Sequence, residues 1–99
     1  MHARSKSFEL APEKVDDAVS QFKDDHLDQF RNQKGYKGFT LLGNRATGKV
    51  TGISYWEDEA DIAASDELGK AAAQQIHATG GAKGEIAGDK WEVLLDDMA

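Results

Sequence analysis

A β-hairpin predicted in the middle of the chain constrains the fold more than any other feature. Residues 35–42 (GYKGFTLL) have the composition of a strand, residues 43–48 (GNRATG) that of a turn, and residues 49–56 (KVTGISYW) that of the returning strand. The returning strand ends on Trp56 and runs directly into the acidic segment 57–60, which is typical of a helix N-terminus. The hairpin therefore predicts an antiparallel pair of strands followed by a helix.

The sequence on each side of the hairpin adds one helix and one strand. The predicted elements are a strand over about 3–10, a helix from Pro12 to about Gln33, the two hairpin strands, a helix from near Asp58 to Gly80 and a strand over about 85–95. Their order is βαββαβ. It predicts a single α+β domain over residues 1–99, because a chain of this length is near the commonest domain size.

The hairpin turn nearly matches a phosphate-binding loop. Residues 43–49 (GNRATGK) have the glycine and lysine spacing of such a loop, but Val50 stands where the loop would need Ser or Thr. A phosphate-binding loop joins a strand to a helix, whereas this segment joins two predicted strands. We therefore interpret it as a turn in which Asn44 and Gly48 adopt positive φ angles.

Both faces of the hairpin are predicted to be apolar. In the first strand Phe39 and Leu41 point to one face and Leu42 to the other, and in the second Val50 and Trp56 point away from Ile53 and Tyr55. An antiparallel sheet with helices on one side normally leaves its second face polar and in contact with water. A second copy of the chain is the commonest cover for such a face, so the sequence predicts a homodimer.

The acidic composition argues against nucleic-acid and membrane partners. A formal net charge of -6 repels phosphate backbones and anionic lipids. No stretch approaches the roughly 20 apolar residues of a membrane helix and no apolar targeting segment is recognised, so a cytoplasmic location is expected. The absence of cysteine excludes disulfides, thiolate metal sites and a cysteine nucleophile.

An acidic segment in the first helix suggests a metal site at first sight. Asp24, Asp25, His26 and Asp28 are all possible ligands of a hard metal ion. Consecutive helical residues diverge by roughly 100° each, so these side chains do not converge on one ion. A solvated acidic face is therefore predicted, with no metal.

His26 has a second reading, because it lies on the apolar stripe of the helix. It falls between Phe22 and Phe30 at four-residue intervals and should point toward the sheet or a cavity. An imidazole there is either a hydrogen-bonded core residue or a proton acceptor. Both interpretations of His26 stay open. Trp56 either packs in the core or contacts a ligand, and Trp91 lies either in the core or in a dimer interface.

The order and spacing of these segments resemble the antibiotic biosynthesis monooxygenase (ABM) family. The resemblance rests on the βαββαβ order, the start of the hairpin at 35–39 (GYKGF), the Gly-Lys pair that leaves the turn, and residues 55–60 (YWEDEA). It covers about residues 3–95. It implies a ferredoxin-like fold whose four-stranded sheet pairs with a partner's sheet into a dimeric α/β barrel, with a small cavity in each subunit between sheet and helices. Members include cofactor-independent oxygenases of polyketide quinols and anthrones, and haem-degrading enzymes.

The functional residues of the family carry over only in part. Trp56 matches the tryptophan that lines the cavity in both catalytic branches. The quinone-forming branch places an asparagine four residues before that tryptophan and a tyrosine six after it, where this chain has Gly52 and Ile62. The haem-degrading branch places an asparagine in the first strand and a histidine nine residues after the tryptophan, where this chain has residues 4–7 (RSKS) and Ser65. The resemblance therefore implies the fold more strongly than either reaction.

These observations lead to one leading hypothesis and one alternative. The leading hypothesis is a homodimeric ABM-type protein that binds a small, largely apolar aromatic molecule in a cavity walled by Trp56, His26, Phe22 and Tyr55. Its chemistry would be oxygen insertion into a quinol or anthrone-like substrate without metal, flavin or haem, with His26 removing a proton. The alternative is a non-catalytic ligand-binding or stress-response protein in which Trp56 only fills the core.

Overall fold

Four antiparallel strands form one sheet with helices packed against one face. The computed structural model describes residues 1–98. Its elements are β1 (His2–Glu9), a 3-10 turn (Pro12–Lys14), α1 (Val15–Asp25), α2 (Leu27–Arg31), β2 (Tyr36–Asn44), β3 (Lys49–Trp56), α3 (Glu59–Ala64), α4 (Asp66–Thr79) and β4 (Lys83–Glu92). The strand order is β2-β3-β1-β4. The predicted α+β, ferredoxin-like βαββαβ fold with a four-stranded antiparallel sheet is confirmed.

The register of β1 decides which side chains face the helices. Phe8 pairs with Val50 and Arg4 pairs with Ser54, and these four residues are buried on the inner face. Because side chains alternate along a strand, Lys6 lies between Phe8 and Arg4 on that same face. The inner face of the central strand therefore carries two basic side chains.

The hydrophobic core lies between this inner face and the helices. Its buried members are Phe8, Leu10, Val15, Ala18, Phe22, Phe30, Val50, Trp56, Ile62, Ala72, Ala73 and Ile76. The apolar stripe predicted for the first helix supplies four of them, and alanines of α4 let that helix approach the sheet closely. A core built in this way leaves its aromatic residues concentrated near β2 and β3.

Both predicted helices are interrupted, where the sequence indicated continuous ones. The first breaks at His26, which has φ -126° and ends α1. The second breaks at Ser65, whose hydroxyl donates to the carbonyl of Ile62 at 3.0 Å and so competes with the helical hydrogen bond at that carbonyl. Serine side chains that bond back to the preceding turn are a known cause of helix bends.

The turn prediction is wrong for one of its two residues. Gly48 has φ +82°, and a Cβ at that position would lie 1.9 Å from the carbonyl oxygen of Leu10. Asn44 has no positive φ. Its side-chain oxygen instead accepts from the backbone amides of Ala46 at 3.0 Å and Thr47 at 3.3 Å, which closes the turn locally.

The last strand is shorter than predicted and its tryptophan is not part of the core. β4 ends at Glu92 rather than near Leu95, because its partner β1 begins at His2 and only the amide of Val93 still reaches the carbonyl of Met1, at 2.9 Å. Trp91 is 54% exposed on the outer face, so the core reading of this residue is wrong. Its place in a dimer interface stays a prediction.

Candidate functional site

A small inner cavity lies between the sheet and the helices. Its lining residues come from β1, β2, β3, α1, α2 and α4, and they are Arg4, Lys6, Phe8, Phe22, Phe30, Phe39, Gly52, Ser54, Gly69, Ala72, Ala73 and Ile76. The space open to the centre of a water-sized sphere is about 20 Å³. This is room for roughly one water molecule, so an aromatic ligand requires the walls to move.

Three phenylalanines form one end of the inner cavity. The rings of Phe22 and Phe39 are stacked with centroids 4.7 Å apart, and Phe30 meets their edges at 5.6 Å and 5.5 Å. Aromatic rings at these distances attract each other beyond the area they bury. The wall is therefore well packed and presents ring faces and edges that suit a planar apolar molecule.

A larger open cleft between α4 and β4 adjoins the inner cavity. The cleft has about 710 Å³ of space on the same measure and is lined by Arg4, Lys6, Asp66, Lys70, Ala73, Gln74, Ile86, Gly88, Asp89 and Lys90. Three of these residues, Arg4, Lys6 and Ala73, also line the inner cavity. Ligand pockets typically measure about 300–1,000 Å³, so the cleft has the size of one and offers a route inward.

Trp56 seals the core next to the inner cavity. Its side chain is fully buried, and the indole Nε1 donates to Ser54 Oγ at 2.8 Å. Tyr36 meets the indole edge-on at 5.8 Å, and the guanidinium of Arg4 lies 5.6 Å from the ring centroid. The indole does not line the cavity itself. It contacts two residues that do, Ser54 and Arg4.

His26 lies at the break between α1 and α2, outside the lining of the inner cavity. Its Nε2 is hydrogen-bonded to Gln75 Oε1 of α4, and Gln75 in turn donates to Asp25 at 3.1 Å. Its Nδ1 is buried and has no partner among residues 1–98. The ring stacks on Phe22 at 6.2 Å, so Phe22 stands between the imidazole and the cavity. A catalytic role for His26 stays a prediction.

Tyr55 lies on the opposite face of the sheet from Trp56 and Phe22. It pairs with Ala3 and Gly38, and it lines a separate groove on the outer face with the chain end, including Val93 and Leu95. The prediction that Trp56, His26, Phe22 and Tyr55 wall one cavity is therefore wrong. Phe22 alone of the four lines the inner cavity.

Arg4 is the functional candidate that the sequence reasoning missed. Its side chain is only 4% exposed, and Nη1 donates to the carbonyl of Ile62, to Ser65 Oγ at 3.2 Å and to Asp66 Oδ1 at 3.1 Å. Burial lowers the pKa of the guanidinium, and the hydrogen bond and charge of Asp66 oppose that effect. The sequence feature that points to its burial is the two-residue alternation along β1, which places Arg4 on the same face as Phe8.

Three positions at which this chain departs from the two ABM catalytic branches are buried, and one of them lines the inner cavity. Gly52 lines the inner cavity, on the same strand face as Trp56. Ile62 is buried in α3, and Ser65 is buried with its hydroxyl bonded to Arg4. Of these three residues, Gly52 alone lines the inner cavity.

The described residues contain neither a metal-binding cluster nor a membrane-spanning helix. Among residues 1–98, no three His, Cys, Asp or Glu side chains are grouped so that they could hold a metal ion. In that same range no helix has both the length and the apolar character needed to span a bilayer.

Solved structures share this fold over nearly the whole chain, although no family model and no curated protein sequence matches it. The monooxygenase ActVA-Orf6 of Streptomyces coelicolor, in complex with nanaomycin D, has a TM-score of 0.79 at 13% identity, covering 99% of this chain and 91% of that one. The haem degrader MhuD of Mycobacterium tuberculosis, with two haems in its active site, has a TM-score of 0.73 at 20% identity, covering 99% and 100%. SnoaB, a cofactor-independent oxygenase from Streptomyces nogalater, has a TM-score of 0.69 at 15% identity, covering 96% and 94%.

These similarities concern the fold, because the sequence identities are low. A protein of unknown function from Nitrosomonas europaea is similar to the same degree, with a TM-score of 0.72 at 16% identity over 99% of this chain and 93% of that one. Oxygenases, a haem degrader and proteins without a described activity thus share one architecture. The chain has the fold of the antibiotic biosynthesis monooxygenases.

Proposed function

We propose that this chain binds a small aromatic molecule at the inner cavity and oxidises it as a cofactor-independent monooxygenase. The substrate class is an electron-rich quinol or anthrone. The observation that carries the proposal is the wall of Phe22, Phe30 and Phe39 between sheet and helices, in a fold shared with an oxygenase that was solved with nanaomycin D bound. Aromatic walls with a few polar groups are typical of small-molecule sites.

Binding requires the inner cavity to open toward the cleft. Lys6 and Ala73 line both spaces, so they stand at the junction. Lys6 has a long flexible side chain that is half-buried, and Ala73 is small. A ring can therefore enter by displacing the aliphatic stem of Lys6, which costs little because such stems change rotamer readily.

The proposed reaction needs no cofactor, because the substrate supplies the electrons. For an anthrone, both C–H bonds of the methylene carbon break and a C=O bond forms at that carbon. One atom of O2 becomes the new carbonyl oxygen, and the other leaves as water with the two hydrogens. The four electrons that reduce O2 come from the substrate carbon, through its carbanion. The protein contributes an enclosure that excludes bulk water and holds the ring in place.

Haem does not fit the residues around this site. Axial ligands of haem iron in proteins are His, Cys, Met or Tyr side chains. Neither the inner cavity nor the cleft is lined by any of these four residue types. Ser65, at the position of the family's histidine, is buried and bonded to Arg4. No step through haem is therefore proposed.

A non-catalytic ligand-binding or stress-response protein is the second candidate. The observation that favours it is that, among the described residues, neither a histidine nor a carboxylate lines the inner cavity, and no histidine lines the cleft. Asp66, a carboxylate of the cleft, is engaged with Arg4 at 3.1 Å and Lys90 at 3.3 Å. A protein with these features can bind an aromatic ring without activating it.

We propose in addition that the chain is a homodimer formed through the outer face of the sheet. Leu42 and Trp91 are each 54% exposed there, and Ile53 and Tyr55 between them are half-buried. Leaving several large apolar side chains in water forfeits about 1.5–3 kcal/mol for each one that could be buried. A second sheet packed on this face would recover that free energy.

Oxygen uptake with a panel of quinols and anthrones tests the proposed reaction. We expect uptake by the wild type and its loss in Ala73→Phe, because a ring at that buried position fills the inner cavity. Ala71→Phe is the matched control, since Ala71 is exposed on the same helix. Uptake that survives Ala73→Phe contradicts the site, and absent uptake in the wild type across the panel leaves the binding protein as the better description.

A further inference from the structure

One nitrogen of the Arg4 guanidinium has no hydrogen-bond acceptor among the described residues. Nη1 makes all three side-chain hydrogen bonds of this residue, to Ile62, Ser65 and Asp66. Nη2 is buried and has no hydrogen-bond partner among residues 1–98. A guanidinium offers its donors in a planar fork that suits a second oxygen acceptor. Buried N–H groups without partners are rare in proteins, so Nη2 calls for an acceptor from outside the chain.

The guanidinium reaches the cavity because α4 carries a glycine beside it. A Cβ on Gly69 would lie 2.7 Å from Nη2 and 2.6 Å from Cζ. Gly69 and Arg4 both line the inner cavity, and Arg4 also lines the cleft. Arg4 thus lies between the two spaces with its Nη2 against Gly69, and any side chain at position 69 would fill the gap beside the guanidinium.

The cleft around Arg4 is basic although the chain is acidic. It is lined by four cationic side chains, Arg4, Lys6, Lys70 and Lys90, and by only two carboxylates, Asp66 and Asp89. Asp66 is shared between Arg4 and Lys90. Lys6 and Lys70 take part in no ion pair within the described part of the chain. Clefts lined by one sign of charge concentrate ligands of the opposite sign.

The apolar part of a ligand that opens the inner cavity would contact aromatic rings that line it together with the guanidinium. Phe22, Phe30 and Phe39 line the inner cavity together with Arg4. A ligand that satisfies Nη2 with an ionised oxygen therefore directs its ring toward these phenylalanines. Two features of one ligand, a planar apolar body and a single anionic oxygen group, match the two features of the site.

We propose that this site selects aromatic anions: a carboxylate or phenolate oxygen binds Nη2 of Arg4, and the ring occupies the phenylalanine wall. This inference rests on the proposed function for the location of the site and adds the chemical class of the ligand. Hydrogen bonds between a guanidinium and an anionic oxygen are roughly twice as strong as neutral ones. A neutral ring of equal shape therefore binds the same place more weakly.

Calorimetric titration of two ligands of equal shape tests the charge requirement. Naphthoate carries the anion, and naphthamide replaces it by a neutral group. We expect naphthoate to bind the wild type about tenfold or more tightly than naphthamide. In Arg4→Met, which keeps a linear apolar side chain, the preference should disappear. Arg31→Met is the matched control, because Arg31 is exposed on α2 and its loss should leave the preference intact.

A second variant keeps the test valid if Arg4→Met does not fold, which circular dichroism would reveal. Asp66→Asn removes the carboxylate that competes for Arg4 and Lys90, so naphthoate affinity should rise severalfold while naphthamide affinity stays constant. Equal affinity of the two compounds in the wild type, or an Asp66→Asn effect of the opposite sign, overturns the inference and leaves aromatic binding in place. Failure of both compounds to bind overturns the inference as well, and oxygen uptake on the same preparation then decides the proposed reaction separately.

Discussion

Gly69 and Arg4 pack so closely that a Cβ on the glycine would lie 2.6 Å from the Cζ of the arginine. The contact joins the first turn of α4 to the central strand β1 and is buried from solvent. A glycine inside a helix normally costs about 1 kcal/mol relative to alanine. Here its lack of a side chain is what lets a guanidinium lie between the helix and the sheet, next to the indole of Trp56.

The first prediction is that Gly69→Ala destabilises the protein, although alanine is the better helix former. The added methyl group forces Arg4 out of its place and disturbs its bonds to Ile62, Ser65 and Asp66, at a cost of about 1–3 kcal/mol. Denaturant unfolding measures the change. The double variant Gly69→Ala with Arg4→Met should recover part of the loss, since contacting residues couple by about 0.5–3 kcal/mol. A stabilised Gly69→Ala single variant would show that Arg4 does not occupy this gap.

The second prediction compares the two tryptophans. Each indole donates to a serine hydroxyl, Trp56 to Ser54 at 2.8 Å and Trp91 to Ser5 at 2.9 Å, but only Trp56 is buried. Trp56→Phe should lower the free energy of unfolding by about 2 kcal/mol, because it leaves a void and a buried hydroxyl without its donor. Trp91→Phe should cost less than Trp56→Phe, because its indole is half-exposed within the chain and phenylalanine keeps an apolar ring on the outer face. Similar losses in thermal unfolding of both variants would contradict the placement of Trp56.

The third prediction concerns His26 and reverses its role in the leading sequence hypothesis. Because the imidazole is bonded to Gln75 and shielded from the cavity by Phe22, His26→Ala should leave oxygen uptake within a few fold of the wild type. A positioned proton acceptor contributes about 10²–10⁴ to the rate, so the two outcomes are well separated. A loss of a hundredfold or more with the fold intact would restore His26 as the catalytic base.

The fourth prediction is a dimer that depends on the outer face of the sheet. Light scattering should show twice the chain mass for the wild type. Ile53→Glu places a charge in the middle of that face and should yield monomers, because an unpaired charge is costly to bury. Leu94→Glu is the matched control: Leu94 is 86% exposed beyond the end of β4 and should tolerate the charge. A wild-type monomer, or dissociation caused equally by both variants, would contradict the interface.

Much of the fold could be predicted from the sequence because the strand signals are strong. The two-residue alternation over 49–56 correctly separates the buried Trp56 from Ile53 and Tyr55. That same alternation also rules out a cavity walled by both Trp56 and Tyr55, since adjacent strand residues face opposite sides of a sheet. The helix breaks could not be predicted in this way, because a hydroxyl such as that of Ser65 bends a helix only in a particular rotamer.

The candidate site was harder to predict because its main polar residue, Arg4, is buried although charged residues are usually exposed. Arginine is almost never fully buried unless paired, so Arg4 looks like a surface residue in the sequence. Two signals point the other way: its even spacing from Phe8 along β1, and Gly69 inside a helical segment, which marks a close approach. Each signal is weak alone. Their meaning depends on the packing of α4 on β1, which local sequence patterns do not report.

Methyl NMR during titration with naphthol tests most directly whether an aromatic ligand binds between sheet and helices. The methyl groups of Ala72, Ala73 and Ile76 line the inner cavity, whereas those of Leu42 and Ile53 lie on the outer face. Ring currents shift only the methyl groups near the bound ring, so the two faces are read separately. We predict saturable shifts of the three α4 methyl groups and none for Leu42 and Ile53. Shifts confined to Leu42 and Ile53, or no saturable shift at any of the five, would contradict the proposed site.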